Sequence, residues 1–259
     1  MGFNTLVLSL PSDEARRRQS REILDRYGLE FRFFDAVNGA SLSDEARNFH
    51  YDAVANVRGF KRPLSNGEIA CYLGHLQMWR HIASCGANAA LILEDDFRFL
   101  REPCEFLRAL AKFDLSDVIV KLDASAPQGA YRFQKIKENW LMQSRLLPPR
   151  TTGYVVGARA AARMLGLRSH FFRPVDIDLK HHWEHGVPIF VTEHALIGER
   201  DAGESRLAAG RTGAKPSMTM RFWCNLKYQF AFRWAMHTAD RQDVRRDSHQ
   251  ATRRLVHLP

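Results

Sequence analysis

Short apolar runs alternating with helical stretches narrow the folds open to this chain more than any other feature. "FNTLVLSL" (3–10) reads as a buried first strand, and "EFRFFDAV" (30–37) as a second, closed by Asn38-Gly39. Between them, "PSDEARRRQSREILDRYGL" has acids at its start, Ser12 as its cap and Gly28 at its stop, which is the pattern of a helix. A strand–helix–strand opening predicts an α/β domain with parallel pairing. The alternation continues. "SNGEIACYLGHLQMWRHIASCG" (65–86) opens on a capping box, Ser65 with Glu68, and keeps an apolar helical period through Ile69, Leu73, Leu76 and Ile82. "AALIL" (89–93) is a strand, "EPCEFLRALAKF" (102–113) a helix and "DVIVKLD" (117–123) a buried strand. "TTGYVVGARAAARMLGL" (151–167) starts as a strand and becomes a helix, and "GVPIFVTE" (186–193) is a late strand. Residues 41–64 read as irregular, with one short helix near 42–49. Residues 124–150 show no clear period, and 199–217 read as a linker.

At 45% hydrophobic and 26% charged residues, the chain is ordinary for a globular protein with a sizeable core. Its four cysteines, Cys71, Cys85, Cys104 and Cys224, form no CxxC pair, which speaks against a disulfide framework or a cysteine zinc site. The first apolar run is too short for a signal peptide, and no stretch approaches the roughly 20 apolar residues of a membrane span. A cytoplasmic location is expected, with peripheral attachment to the inner membrane as an option. Charge is uneven. From Arg211 onward there are ten Lys/Arg and three Asp, a balance of +7 out of the chain's +9. A basic tail on a near-neutral body points to a membrane surface or a partner rather than to nucleic acid.

The run "AALIL" passes directly into Glu94, Asp95 and Asp96. In open α/β sheets, ligands sit at the carboxyl ends of the strands. Strand alternation sends Glu94 and Asp96 to one side and Asp95 to the other. Two carboxylates on one side can share Mg²⁺ or Mn²⁺, which can also bridge to a phosphate; a solvated acidic turn is the bland alternative. The sequence has no GxxxxGK[ST] and no GxGxxG loop, so a nucleotide diphosphate would be held through a metal rather than a glycine cradle.

"LSNGEIACYLGHLQMWRHI" (64–82) followed by "ALILEDDF" (90–97) resembles glycosyltransferase family 25. "LVLSLPSDEARR" (6–17), "FFDAVNG" (33–39), "VIVKLD" (118–123), "TTGYVVGARAAARML" (151–165) and "RPVDIDL" (173–179) are collinear with it, so the resemblance covers roughly residues 5–205. It implies a GT-A-like fold with a mostly parallel sheet, a UDP-sugar donor, a divalent cation and inverting transfer, commonly of galactose. It implies Glu94 and Asp96 as metal ligands. It matches Arg16 to the arginine of the opening motif and places Asp95 between the two ligands. Ser9, Leu10, Arg16, Asp35, His75, Asp95, Lys121 and Asp123 are the expected donor contacts. Ser9 stands where the family often has Asn.

Other residues carry two readings. Glu68, Tyr72, His75 and Trp79 share a helical stripe that either lines the donor site or, apart from the Glu68 cap, belongs to the core. Lys121 meets a phosphate or reaches solvent from a strand end. Asp176 and Asp178 are candidate general bases for the attacking hydroxyl, with Asp176 also suited to a helix start after Pro174. His181, His182 and His185 have metal-like spacing but no second acid, which favours a solvated helix face. In 218–239, Phe222, Trp223, Leu226, Phe230 and Trp234 gather on one side among Arg221, Lys227 and Arg233, for an anionic membrane interface or for packing on the body. The sequence as a whole predicts a catalytic domain over 1–210 and a basic helical tail over 211–259. The tail would suit a lipid-linked saccharide acceptor. A metal-dependent phosphotransferase or phosphohydrolase and a non-catalytic basic adaptor are the rivals.

Overall fold

A computed structural model of the 259-residue chain describes residues 3–200 and 218–243. The expected domain boundary at 210/211 and the last sixteen residues lie outside the described residues. Eight strands form the central sheet in the order β2-β1-β3-β8-β5-β9-β7-β6. They are β1 (Asn4–Ser9), β2 (Phe31–Asp35), β3 (Ala89–Glu94), β5 (Ile119–Lys121), β6 (Tyr131–Ile136), β7 (Asn139–Gln143), β8 (Gly153–Gly157) and β9 (Ile189–Thr192). Strands β2, β1, β3, β5, β9 and β6 run one way, while β8 and β7 run against them. The α/β expectation therefore holds, with a mixed sheet. A separate ribbon pairs β4 (Phe97–Phe99) with β10 (Ile197–Glu199).

The helices are α1 (Glu14–Arg26), α2 (Asp44–His50), α3 (Ala53–Gly59), α4 (Asn66–Ser84), α5 (Cys104–Leu110), α6 (Ala158–Arg168), α7 (Val175–Lys180), α8 (His182–His185) and α9 (Met218–Asp243). They cover both faces of the sheet. Leu6, Leu8, Ala90, Ile92, Tyr154 and Val156 point to a core shared with Ile69, Leu76, Trp79 and Ile82 of α4. The alternate residues Val7, Leu91, Leu93 and Val155 point to a second core with Leu24 of α1 and Phe106, Leu107 and Leu110 of α5. Strands buried on both faces read as continuous apolar runs, which is why "AALIL" shows no alternation. Each buried Val, Leu, Ile or Phe side chain among them contributes about 1.5–3 kcal/mol by leaving water.

Local chemistry fixes the ends. Ser65 accepts from the Glu68 backbone N–H, while the Glu68 side chain accepts from the Ser65 N–H, so the expected capping box starts α4. The cap of α1 is Asp13 rather than Ser12, because its carboxylate accepts from the Arg16 N–H. The segment 41–64 holds two short helices where one was expected, each with its own cap, Ser43 for α2 and Asp52 for α3. Residues 131–143, which carried no sequence signal, form the β6–β7 hairpin.

Candidate functional site

The carboxyl ends of β1, β2 and β3 open onto a cleft of about 940 Å³. Leu8–Leu10, Ala36–Ala40 and Glu94–Asp96 supply one wall. Since β8 runs antiparallel to β3, its entry rather than its exit lies at this edge, and Arg150, Thr151 and Thr152 join the lining. The start of α4, with Glu68 and Cys71, and the start of α7, with Asp176, complete it. Seven lining residues are acidic (Asp13, Glu68, Glu94, Asp95, Asp96, Asp176 and Glu199) against four cations (Arg16, Lys61, Arg62 and Arg150). Acidic side chains outnumber cationic ones by three, a balance that disfavours a bare anion and favours a cation.

The three adjacent acids have three different surroundings. Strand β3 ends at Glu94, so Asp95 and Asp96 occupy a turn and the expected strand alternation does not reach them. Asp95 is tied down: the Ser9 hydroxyl donates to Oδ2 at 2.7 Å and Arg16 Nη1 donates to Oδ1 at 2.9 Å. Its carbonyl accepts from Ser20 at 3.1 Å and from the Arg200 guanidinium. Asp95 therefore anchors the turn.

Glu94 Oε1 accepts from Thr151 Oγ1 at 2.6 Å and lies 3.4 Å from His75 Nε2. Burial works to raise its pKa, but the imidazole and the Thr151 hydroxyl outweigh this and hold it below the ordinary value. Asp96 is the contrast. Burial and the Glu94 carboxylate push it up to about 7, against the pull of Arg16 at 3.7 Å. Its Oδ1 is buried with no hydrogen-bond partner. An orphaned carboxylate oxygen beside a second, ionised carboxylate in an acidic cleft is a hard-oxygen donor set, and it fits Mg²⁺ or Mn²⁺. Cys71, His75 and Glu94 also bring ligand atoms within 4.8 Å of one another.

Behind Glu94 runs a directed chain. Trp79 Nε1 donates to Tyr154 Oη at 2.9 Å, and Tyr154 Oη lies 2.8 Å from His75 Nδ1. The Glu94 carboxylate can only accept, so His75 Nε2–H donates to it and is unavailable for metal ligation there. His75 and Trp79 are fully buried, as is Tyr72, which stacks on Phe171 at 3.8 Å. Of the expected stripe only Glu68 reaches the cleft, where Arg62 forks onto it, one arm at 2.8 Å.

The structure separates the two α7 acids. Asp176 lines the cleft, and burial raises its pKa, helped by Glu94 and Glu68 and opposed by the Ile177 N–H and Lys121. Asp178 is 2% exposed and does not line it. Arg173 Nη2 reaches Asp178 at 2.6 Å, Arg168 Nε at 2.9 Å and the Tyr72 hydroxyl at 2.5 Å, so this carboxylate is engaged by buried partners away from the cleft. Lys121 is also not at solvent: it is 1% exposed, donates to the Arg150 carbonyl and sits 3.3 Å from the buried Asp123. Neither Lys121 nor Asp123 lines the cleft; the pair lies behind it, where its ammonium lowers the pKa of Glu94 and Asp176. Asp35 faces outward and pairs with Arg17 at 2.5 Å, leaving the next residues of its turn to line the site. His181 and His185 are buried rather than solvated, because the helix breaks at His181 and turns both rings inward. Burial pushes them down to about 4 and about 3, so they stay neutral.

Sequence reasoning had not picked out Arg62, Arg150, Thr151 or Glu199 as cleft residues. Thr151 carried a signal only through its place in "TTGYVVG", just before a buried strand.

The architecture is thus an α/β protein with an acidic cleft at its parallel strand ends. Residues 3–179 match the family described as Glycosyltransferase family 25 (LPS biosynthesis protein), and the chain belongs to that family. A glycosyltransferase 25 family member of Aedes aegypti is 30% identical over 169 residues, 61% of this chain and 27% of that protein. Procollagen galactosyltransferase 2 of Homo sapiens is 23% identical over 221 residues, 80% of this chain and 33% of that protein. An inactive glycosyltransferase 25 family member 3 of Homo sapiens is 32% identical over 103 residues, 38% of this chain and 17% of that one. The chain spans 27%, 28% and 59% of the length of three curated relatives that it matches.

Proposed function

We propose that this chain is a divalent-metal-dependent inverting glycosyltransferase that moves a hexose, galactose by the family's habit, from a UDP-sugar to a saccharide on an envelope glycolipid. Family membership alone does not make an enzyme, since one human relative carries the name inactive. The reading rests on the orphaned Asp96 oxygen beside ionised Glu94 in the cleft. Glu94 and Asp96 would hold Mn²⁺ or Mg²⁺, which when bound screens the diphosphate and stabilises it as a leaving group. Asp95 fixes the turn through Ser9 and Arg16, and His75 and Thr151 orient Glu94. Lys61 and Arg150, which line the cleft, would offer cations to the donor phosphates.

Asp176 is assigned the general base. It takes the proton of the acceptor hydroxyl as that oxygen bonds to the anomeric carbon, while the bond from that carbon to the diphosphate breaks and UDP leaves with the electron pair. Burial raises its pKa above its ordinary value, which makes it a stronger base than a solvated aspartate.

The test is turnover of a UDP-sugar panel with and without Mn²⁺, for wild type, Asp96→Ala and Asp176→Asn. Metal-dependent release of UDP from one donor is expected, lost in Asp96→Ala. Asp176→Asn should lose about 10²–10⁴-fold in transfer while retaining Mn²⁺-dependent UDP binding. Absence of both turnover and Mn²⁺-dependent UDP binding in wild type would overturn the reading. Release of inorganic phosphate instead of UDP would favour the phosphohydrolase.

A further inference from the structure

Helix α9 has two unlike faces. Its inner face is packed. Phe232 is buried, 5.0 Å from the His181 ring and 5.1 Å from Trp183, with Lys180 Nζ over it at 5.2 Å. Tyr228 sits edge-on to Phe60 at 5.5 Å. At 3.6 residues per turn, Leu226, Phe230 and Trp234 form a stripe on the opposite side. Phe230 is 72% exposed and Trp234 75% exposed, and exposed Trp223 falls on the same stripe. Lys227 and Arg233, both exposed, flank it.

Such a face is costly to leave in water, and its composition selects the occupant. Tryptophan and phenylalanine bordered by cations match the headgroup boundary of an anionic bilayer, where rings enter the acyl edge and cations meet lipid phosphates. The charge of the region agrees, at ten Lys/Arg against three Asp from Arg211 onward. Among the described residues no helix is long and apolar enough to cross a membrane.

We infer that the outer face of α9 docks the protein on an anionic lipid surface, with Phe230 and Trp234 as the inserted residues. Phe60, against which Tyr228 packs, also lines the cleft, so the docking helix braces a wall of the substrate site. A glycolipid acceptor would benefit, on the reading above, but lipid binding does not depend on it.

The experiment is co-sedimentation of the full chain with phosphatidylglycerol–phosphatidylcholine vesicles and with pure phosphatidylcholine vesicles. The chains compared are wild type, Phe230→Glu/Trp234→Glu and Lys227→Glu/Arg233→Glu. All four side chains are exposed, so thermal unfolding should match wild type. Wild type should bind the anionic vesicles at least tenfold more tightly than the neutral ones, and each variant should lose at least tenfold. Equal binding by all three chains, or equal binding to both vesicles, would overturn the inference. So would a wild-type dimer that the aromatic variant abolishes without any vesicle binding, which would make the face a contact with a second copy. None of these readouts involves sugar transfer, so failure here and failure of the proposed activity are told apart.

Discussion

Replacing Asp96 with asparagine should stabilise the metal-free protein. The Asp96 carboxyl rises from its ordinary 3.8 to about 7 because burial and Glu94 oppose its charge. About three units at ~1.4 kcal/mol each amount to a penalty of about 4 kcal/mol once the group is ionised. The pull of Arg16 at 3.7 Å is already contained in that shift, and the side chain is 26% exposed, so solvent screening discounts the net gain to about 1–3 kcal/mol. The pH dependence has a definite sign. Between about pH 4 and 7 the folded chain holds a proton that the unfolded chain has released, so wild-type stability falls as pH rises through that window. Asparagine does not titrate, and its advantage should be small at pH 5 and full at pH 8. Urea unfolding in EDTA at pH 5, 6.5 and 8, followed by tryptophan fluorescence, measures it. An advantage independent of pH, or an Asp96→Asn chain less stable than wild type at pH 8, would refute the electrostatic account. Added Mn²⁺ should reverse the ranking, since only wild type gains from the ion.

Two further substitutions probe the surroundings of the acids. His75→Leu should weaken Mn²⁺ binding about 10–100-fold by calorimetry, with His75→Gln restoring much of it, because the glutamine amide can still donate to Glu94. Gly157→Ala should destabilise the fold by several kcal/mol in the same urea assay, since its Cβ would lie 1.9 Å from the Leu115 carbonyl oxygen.

What the sequence reveals here is what short-range chemistry decides. Ser65 and Glu68 cap α4 through atoms three residues apart, and "AALIL" and "VIVKLD" are apolar enough to be strands in any context. The hairpin of β6 and β7 is hidden because its turn, Lys137-Glu138, lacks the usual glycine or asparagine; Lys137 itself adopts φ 54°. Strands β4 and β10 are three residues each and show no period. In the site, the acids at the end of β3 are legible from strand-end logic, and their different states are not. Whether Asp178 is free or clamped depends on Arg168, ten residues before it, and on Tyr72, 106 residues away. Lys121 reads as a strand-end lysine until Asp123 and the Arg150 carbonyl close over it.

The reversed strand β8 has one more consequence. Its leading residues reach the cleft from the β6–β7 hairpin, whose strands lie at the far edge of the sheet, through the connection 144–152. Glu94, Asp95 and Asp96 come instead from β3 and its turn. The two sides of the cleft thus come from separate stretches of chain that meet at Thr151, whose hydroxyl donates to Glu94, and at Thr152, whose carbonyl accepts from the Glu94 N–H. A length change at the hairpin would therefore be felt at the acid end of β3 as well as on the Arg150 side.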